Sequence, residues 1–342
     1  MEKIRVNASK QYDIYIGGGA LGTLSGLLGD KKRRYAVITD DNVERYHLAA
    51  LLAALGEAGE DAPVFVLAHG EKSKNMDSLA AILEFLAEKR ITRSDMIIAL
   101  GGGVVGDITG LAAAMFLRGV EFVQIPTTLV SCVDSSVGGK CAVDLRAGKN
   151  LAGVFAQPSL VVCDTSLLST LPDSEFSCGM AEVIKYALGF DRGLFGMTLG
   201  DVHGQIDSIV KRCVSIKRDV VEADEFDLGE RKKLNLGHTL GHAVEKCSGY
   251  SIPHGAAVGM GLASITKAFL PEAFGEVSRA LEHNGLEIRA PFSSAELAAA
   301  AMSDKKRSGG TISLVVPTGI GSCVLRDTPV GEISEVFEKG AV

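Results

Sequence analysis

The chain has 342 residues, roughly two domains at about 100–200 residues each, which excludes a small module stapled by disulfides or metal. Its 35 Lys and Arg against 42 Asp and Glu leave a net charge of −7. That balance argues against a surface built for nucleic-acid phosphates, so any anionic ligand must be met by a local basic pocket. The seven cysteines (Cys132, Cys141, Cys163, Cys178, Cys213, Cys247, Cys323) are odd in number and form no C-x-x-C pair. Neither a disulfide framework nor a thiolate zinc site follows, and a reducing compartment is expected. No run of 18 or so apolar residues is present and residues 1–10 are too polar for a signal peptide, so the expectation is a soluble, cytoplasmic protein with no membrane partner.

The first half alternates short β-branched runs with longer helical patterns. Tyr35–Thr39, Val64–Leu67, Met96–Leu100 and Phe122–Ile125 read as buried strands, separated by amphipathic stretches such as Asn42–Leu55 and Met76–Glu88. This βα alternation predicts an α/β domain with a mostly parallel sheet. Leu160–Cys163 adds a strand, after which strand signals nearly vanish until Ile312–Val316. From Ser174 the period is helical: Ser177–Leu188, Ile206–Glu222, His238–Ser248, Ala256–Phe269, Phe274–Asn284 and Ala295–Ser303. The expected division is therefore an α/β domain over residues 1–172 and an α-helical domain over 173–342.

Glycine is in excess, 40 of 342 or about 12 % against a usual 7 %. It clusters without a repeat, as turns and close-approach sites do. Gly101-x-Gly103-x-x-Gly106 follows a strand and opens a helix, where main-chain N–H groups suit a pyrophosphate. It sits after the third or fourth strand rather than the first, so a tight strand-to-helix turn remains the alternative. Asp40-Asp41-Asn42 and Gly70–Asn75 occupy the equivalent place after two other strands, as nucleotide contacts or as simple helix caps. Thr127–Asn150 is too long for an ordinary connection between strands. Its Thr127-Thr128, Asp134–Lys140 and Gly148-Lys149-Asn150 combine hydroxyls, glycines and lysines in a manner suited to an anion, although single lysines are mostly only solvated.

Glu182 and Lys185 stand three apart among Met180, Val183, Ile184 and Tyr186, so this pair is either a surface contact or a buried carboxylate that requires a cation or a metal. His238 and His242 are spaced i, i+4 on one helix, and His254 opens the next one. Glu182, His238 and His254 together give two nitrogens and one oxygen, the donor set of a catalytic zinc with an open position; hydrogen-bonded core histidines are the alternative.

Taken in order, GGGVVGD (101–107), RGVEFVQIPTTLVSCVDSSVGGK (118–140), GKN (148–150), GMAEVIKYA (179–187), LNLGHTLGH (234–242) and PHG (253–255) resemble the 3-dehydroquinate synthases. The resemblance implies a Rossmann-like N-terminal domain holding NAD and a helical domain holding a divalent metal, Zn2+ or Co2+, with the active site between them. It implies Glu182, His238 and His254 as metal ligands, and Asp40, Asn42, Glu71, Lys74, Gly102, Gly103, Asp107, Thr127, Thr128, Asp134, Lys140, Lys149 and Thr170 at the NAD. Arg118, Lys140, Asn150, Lys185, Lys217, Arg231, Asn235, His242 and either Lys305 or Lys306 would meet the substrate. Such enzymes convert 3-deoxy-D-arabino-heptulosonate 7-phosphate to 3-dehydroquinate and phosphate, on the shikimate route to chorismate and aromatic amino acids. The steps are transient oxidation by NAD, phosphate elimination, re-reduction and intramolecular aldol closure. A homodimer is implied, with Arg118 serving a partner subunit's site. Another sugar-phosphate cyclase, or a metal-dependent polyol dehydrogenase of the same superfamily, is the competing reading.

Overall fold

The architecture was obtained as a computed structural model, which describes residues 1–29, 33–305 and 310–342, the side chains of 303–305 excepted. The chain separates into two compact units, Met1–Leu171 with Lys217–Phe226, and Pro172–Ile216 with Asp227–Val342.

Among its described residues the first unit carries nine strands: β1 (Glu2–Asn7), β2 (Gln11–Ile16), β3 (Tyr35–Asp40), β4 (Val64–Leu67), β5 (Met96–Gly101), β6 (Glu121–Pro126), β7 (Lys140–Leu145), β8 (Gly148–Phe155) and β9 (Leu160–Cys163). Seven of them form one sheet in the order β1-β2-β9-β6-β5-β3-β4. All neighbours in it are parallel except the β1–β2 hairpin. The central strands β5 and β9 are buried along their whole length, as expected where helices cover both faces. On one face α1 (Met76–Glu88) and α2 (Gly103–Met115) pack Ile82, Leu86 and Ile108 against Ile38, Ile97 and Phe122. On the other, Leu24, Leu51 and Leu55 meet Val37, Ile98 and Ile125.

Two features depart from the sequence expectation. The β1–β2 hairpin precedes the first predicted strand; Ile4, Val6, Tyr12, Ile14 and Ile16 alternate inward from it, a half-buried edge pattern rather than an unbroken apolar run. The stretch 127–150, expected as one polar connection, contains a π-helical turn at Ser131–Ser135 and the antiparallel pair β7–β8. Cys141 and Val143 point inward from β7 between the more exposed Lys140 and Asp144, and this short alternation anchors the hairpin.

The second unit contains α3 (Asp173–Phe190), the N-terminal part of α4 (Ile206–Ala223), α5 (His238–Cys247), α6 (His254–Phe269), α7 (Phe274–His283) and α8 (Ser294–Lys305). One strand is expected here, Ile312–Val316, but the structure has two, β10 (Thr311–Gly319) and β11 (Ser322–Pro329), paired antiparallel. Helix α3 is buried continuously from Cys178 to Gly189, including Glu182 and Lys185. No helix among the described residues is long and apolar enough to cross a membrane.

Candidate active site

In the first unit, β3 runs outward to β4 while the chain returns on its other side to β5, so the direction of winding reverses between β3 and β5. Ligands of doubly wound sheets bind beyond the carboxyl ends of the strands at such a point. Asp40 ends β3, Gly102-Gly103 follow β5, Thr127 follows β6 and Glu71 lies a few residues beyond β4. Five sequence-predicted residues therefore sit at or just beyond the ends of four neighbouring parallel strands. Gly102 is the N-cap of α2 and offers no side chain to its first N–H groups. A Cβ there would lie 2.9 Å from Thr128 Cγ2, and one at Gly103 3.1 Å from Ser135 Oγ, so a larger residue at either position would crowd these side chains. The hydroxyls of Thr127 and Ser135 are buried without a hydrogen-bond partner, donors that a polar ligand could satisfy.

Asp40 is half-buried and its Oδ1 accepts from the main-chain N–H groups of Asn42 and Val43, 3.0 Å each. Burial pushes its carboxyl up, only partly offset by those donors. Lys74 is buried and donates to Asp107 Oδ2 and to Asn150 Oδ1, both at 2.6 Å. Asn150 adopts a left-handed φ of 57° and its N–H donates to Asp144 Oδ1 at 2.8 Å. Burial holds the Asp107 carboxyl above its ordinary range even beside that ammonium. Lys217 ion-pairs with Asp134 and donates to the Asp134 carbonyl at 2.7 Å. Thr170 Oγ1 lies 2.8 Å from His47 Nε2. Arg118, Asn42, Glu71 and Lys140 are exposed and Lys149 half-buried. Arg118 follows Leu117 in the left-handed region, with φ of 66° and 50°.

In the second unit three elements bring Glu182, His238 and His254 together, their donor atoms all within 4.8 Å of one another. Glu182 Oε1 stands 3.7 Å from His238 Nε2 and 3.5 Å from His254 Nε2. Donors of a tetrahedral ion with bonds near 2.0 Å are separated by about 3.3 Å, so the trio fits a small divalent cation. His238 is the first residue of α5, after Gly237 in the left-handed region (φ 79°). His254 is the first of α6, after Pro253. A Cβ on Gly255 would lie 2.3 Å from the Cys178 carbonyl oxygen, and one on Gly261 2.0 Å from that of Gly237. These glycines let α6 approach α3 and the turn before α5 closely enough for the side chains to converge.

Each imidazole is held through its other nitrogen. His238 Nδ1 lies 3.2 Å from the Leu236 carbonyl and His254 Nδ1 3.1 Å from Glu245 Oε2. Burial drives the His238 imidazole down to about 3. At His254 burial acts in the same direction but is outweighed by the carboxylates of Glu182 and Glu245, which carry it up to about 9. Burial alone would raise the Glu182 carboxyl; Lys185, His254 and His238 outweigh it and hold it well below the usual carboxylate range. Lys185 and Arg231 are buried, at 1 % and 2 % exposure, while Asn235 and His242 are exposed. Lys306 and the side chain of Lys305 lie outside the described residues.

Glu245 has no role in the sequence reading, although it stands at i+7 from His238 and i+3 from His242 on α5. The signal is that helical spacing, which places it on the histidine face.

Among solved structures, a 2-deoxy-scyllo-inosose synthase complexed with carbaglucose-6-phosphate, NAD+ and Co2+ matches 99 % of this chain over its whole length, with a TM-score of 0.88 and 24 % identity. A 2-epi-5-epi-valiolone synthase from Streptomyces hygroscopicus subsp. jinggangensis 5008, with NAD+ and Zn2+ bound, matches 98 % of this chain and 99 % of its own, with a TM-score of 0.86 and 26 % identity. The fold is that of the sugar-phosphate cyclases. Residues 64–178 match the 3-dehydroquinate synthase N-terminal profile and 179–307 the C-terminal one. The 3-dehydroquinate synthase of Caulobacter vibrioides (strain NA1000 / CB15N) is 41 % identical over 97 % of both chains. The chain belongs to the 3-dehydroquinate synthase family.

Proposed function

We propose that the chain converts 3-deoxy-D-arabino-heptulosonate 7-phosphate to 3-dehydroquinate and inorganic phosphate, as a carbon–oxygen lyase of the shikimate pathway. The observation that carries this reading is the Glu182–His238–His254 trio with two buried cations, Lys185 and Arg231, in the same unit of an acidic chain. Such cations suit a substrate bearing both a carboxylate and a phosphate.

On this reading residues 1–172 hold NAD and residues 173–342 hold the metal and the substrate. Glu182, His238 and His254 ligate the metal, Zn2+ by donor type, with Co2+ accepting the same geometry. Asp40, Asn42, Glu71, Lys74, Gly102, Gly103, Asp107, Thr127, Thr128, Asp134, Lys140, Lys149 and Thr170 line the NAD site. When bound, NAD supplies a reversible hydride acceptor and the metal lowers the pKa of a coordinated hydroxyl.

The protein's own side chains bind and orient. Lys185, Lys217 and Arg231 meet the substrate carboxylate; the buried positions of Lys185 and Arg231 strengthen that attraction because little water screens it. Lys140, Asn150, His242 and Arg118 receive the phosphate. Elimination breaks its C–O bond, and a departing phosphate oxygen takes the proton from the neighbouring carbon, so the protein needs to supply only fixed positive charge there. Asn235 offers hydrogen bonds and His242 can hold or move a proton during ring opening and closure. Arg118 serves the site of a partner subunit in a cytoplasmic homodimer.

The test is phosphate release from 3-deoxy-D-arabino-heptulosonate 7-phosphate with NAD and Zn2+, with absorbance at 340 nm followed alongside. Release without NADH accumulation, abolished by Glu182→Ala, is expected. No release, with turnover of glucose 6-phosphate instead, would transfer the chain to another cyclase activity; steady NADH growth with a polyol would make it a dehydrogenase.

A further inference from the structure

His254 lies between two carboxylates, and its two nitrogens face different ones. Nε2 is 3.5 Å from Glu182 Oε1, a separation suited to two ligands sharing an ion. Nδ1 is 3.1 Å from Glu245 Oε2, a hydrogen-bond separation. Glu245 is 3 % exposed, and a carboxylate so buried is tolerated only where charged or donor groups face it. We propose that Glu245 is a positioning residue for the metal centre: it accepts the Nδ1–H of His254, fixes that imidazole in the tautomer with a free Nε2 lone pair, and aims the lone pair at the space shared with Glu182 and His238. This rests on the reading of Glu182, His238 and His254 as metal ligands.

The two histidines differ in this respect. His238 is oriented by a main-chain carbonyl, that of Leu236, which no substitution removes. His254, only half-buried, depends on a side chain for its orientation. Carboxylates behind metal-bound imidazoles raise ligand basicity as well as fixing the ring, and their loss typically costs about 10–100-fold in metal affinity. Glutamine at the position would keep an acceptor oxygen without the charge, whereas leucine removes both.

A second arrangement is available to the same residues, because His242, Glu245 and His254 also place one donor atom each within 4.8 Å of one another. Glu245 would then be a ligand itself, and His242 would replace His238 in the set. The two arrangements predict opposite rankings of the histidine variants.

The experiment measures Co2+ and Zn2+ affinity of the full chain by competition with a chromophoric chelator, together with the visible absorption of bound Co2+. The expected result is one ion per chain in the parent. Glu245→Gln should weaken affinity by about tenfold with the Co2+ bands retained, and Glu245→Leu by up to about 100-fold. His238→Ala should abolish binding, and His242→Ala should leave the dissociation constant within a few-fold. Thermal melting of the metal-free variants shows that they fold; a purely structural glutamate would lower the melting temperature without changing affinity in the folded protein. Glu245→Leu binding as tightly as the parent overturns the proposal, as does loss of binding in His242→Ala with retention in His238→Ala. A parent that takes up neither ion would refute the metal reading itself, a result distinct from equal affinities in parent and variants.

Discussion

Glu182 and Lys185 lie one turn apart on α3 and form an ion pair in which each side chain is only 1 % exposed. Truncating one member of such a pair typically costs about 3–5 kcal/mol, because the other charge is left in a low dielectric. Lys185→Met is therefore expected to lower unfolding free energy by about 3 kcal/mol in the metal-free chain, and Glu182→Gln combined with it should recover most of that loss. Urea denaturation of the metal-free single and double variants measures this. A single variant within about 1 kcal/mol of the parent would show that the buried charge finds another partner.

The glycine before the second turn of the metal-facing helix is a steric requirement. A Cβ on Gly255 would meet Cys178 main-chain atoms at 2.3, 2.4 and 2.6 Å, none of which can rotate away. Gly255→Ala should cost about 3 kcal/mol by overpacking and weaken divalent-ion uptake, since His254 moves with the helix. Gly275, also near the start of a helix, has open space at its Cβ position. Gly275→Ala should be neutral or stabilising by up to about 1 kcal/mol. Equal melting temperatures for the two variants would contradict the argument.

Asp95, just before β5, accepts from Thr92 N–H at 2.7 Å, Thr92 Oγ1 at 2.9 Å and Arg34 Nη2 at 2.8 Å. Burial pushes its carboxyl up, but these donors outweigh it and hold it below the ordinary value. Because the folded pKa is depressed, the contribution to stability is fully present above the unfolded value near 3.9 and is lost as pH falls through the folded one. Asp95→Asn should thus be destabilised by about 1–3 kcal/mol at neutral pH, and the gap should narrow below about pH 4. Denaturation midpoints of the two proteins at several pH values decide it; a gap that widens on acidification would reverse the sign and refute the account.

The thiols should react unequally. Cys132, Cys141, Cys163, Cys178 and Cys213 are buried, and only Cys247 and Cys323 are partly accessible. Burial pushes the Cys141 and Cys213 thiols far up, and Cys323 to about 11, so little thiolate exists at neutral pH. A chromogenic disulfide reagent should titrate at most two groups in the native chain and seven in denaturant. Five fast-reacting groups would mean that the segments burying Cys132, Cys141, Cys163, Cys178 and Cys213 open readily.

The sheet was legible where strands are covered on both faces, because Tyr35–Ile38, Met96–Leu100 and Leu160–Cys163 are unbroken apolar runs. The β1–β2 hairpin and β7 escaped because only alternate residues face inward, and β8 because none of its residues is buried. The trio Glu182, His238 and His254 was legible as chemistry, yet its convergence depends on contacts of Gly255 and Gly261 with main chain distant in sequence. Glu245 was passed over because a glutamate on a helix ordinarily faces water; its spacing places it on the histidine face, and its burial follows from tertiary packing.

Where the helix beginning at His254 passes α3 and the turn preceding His238, at Gly255 and Gly261, the nearest opposing atoms are main-chain atoms of Cys178, Gly237 and Gly241. Elsewhere in a protein core, added volume can be met partly by shifted side chains, at a cost of about 1–3 kcal/mol. At these two glycines the opposing atoms have no rotamer to change, so the spacing there is set by backbone contact. A larger residue at either position would therefore displace a helix, and a histidine with it, rather than a neighbouring side chain.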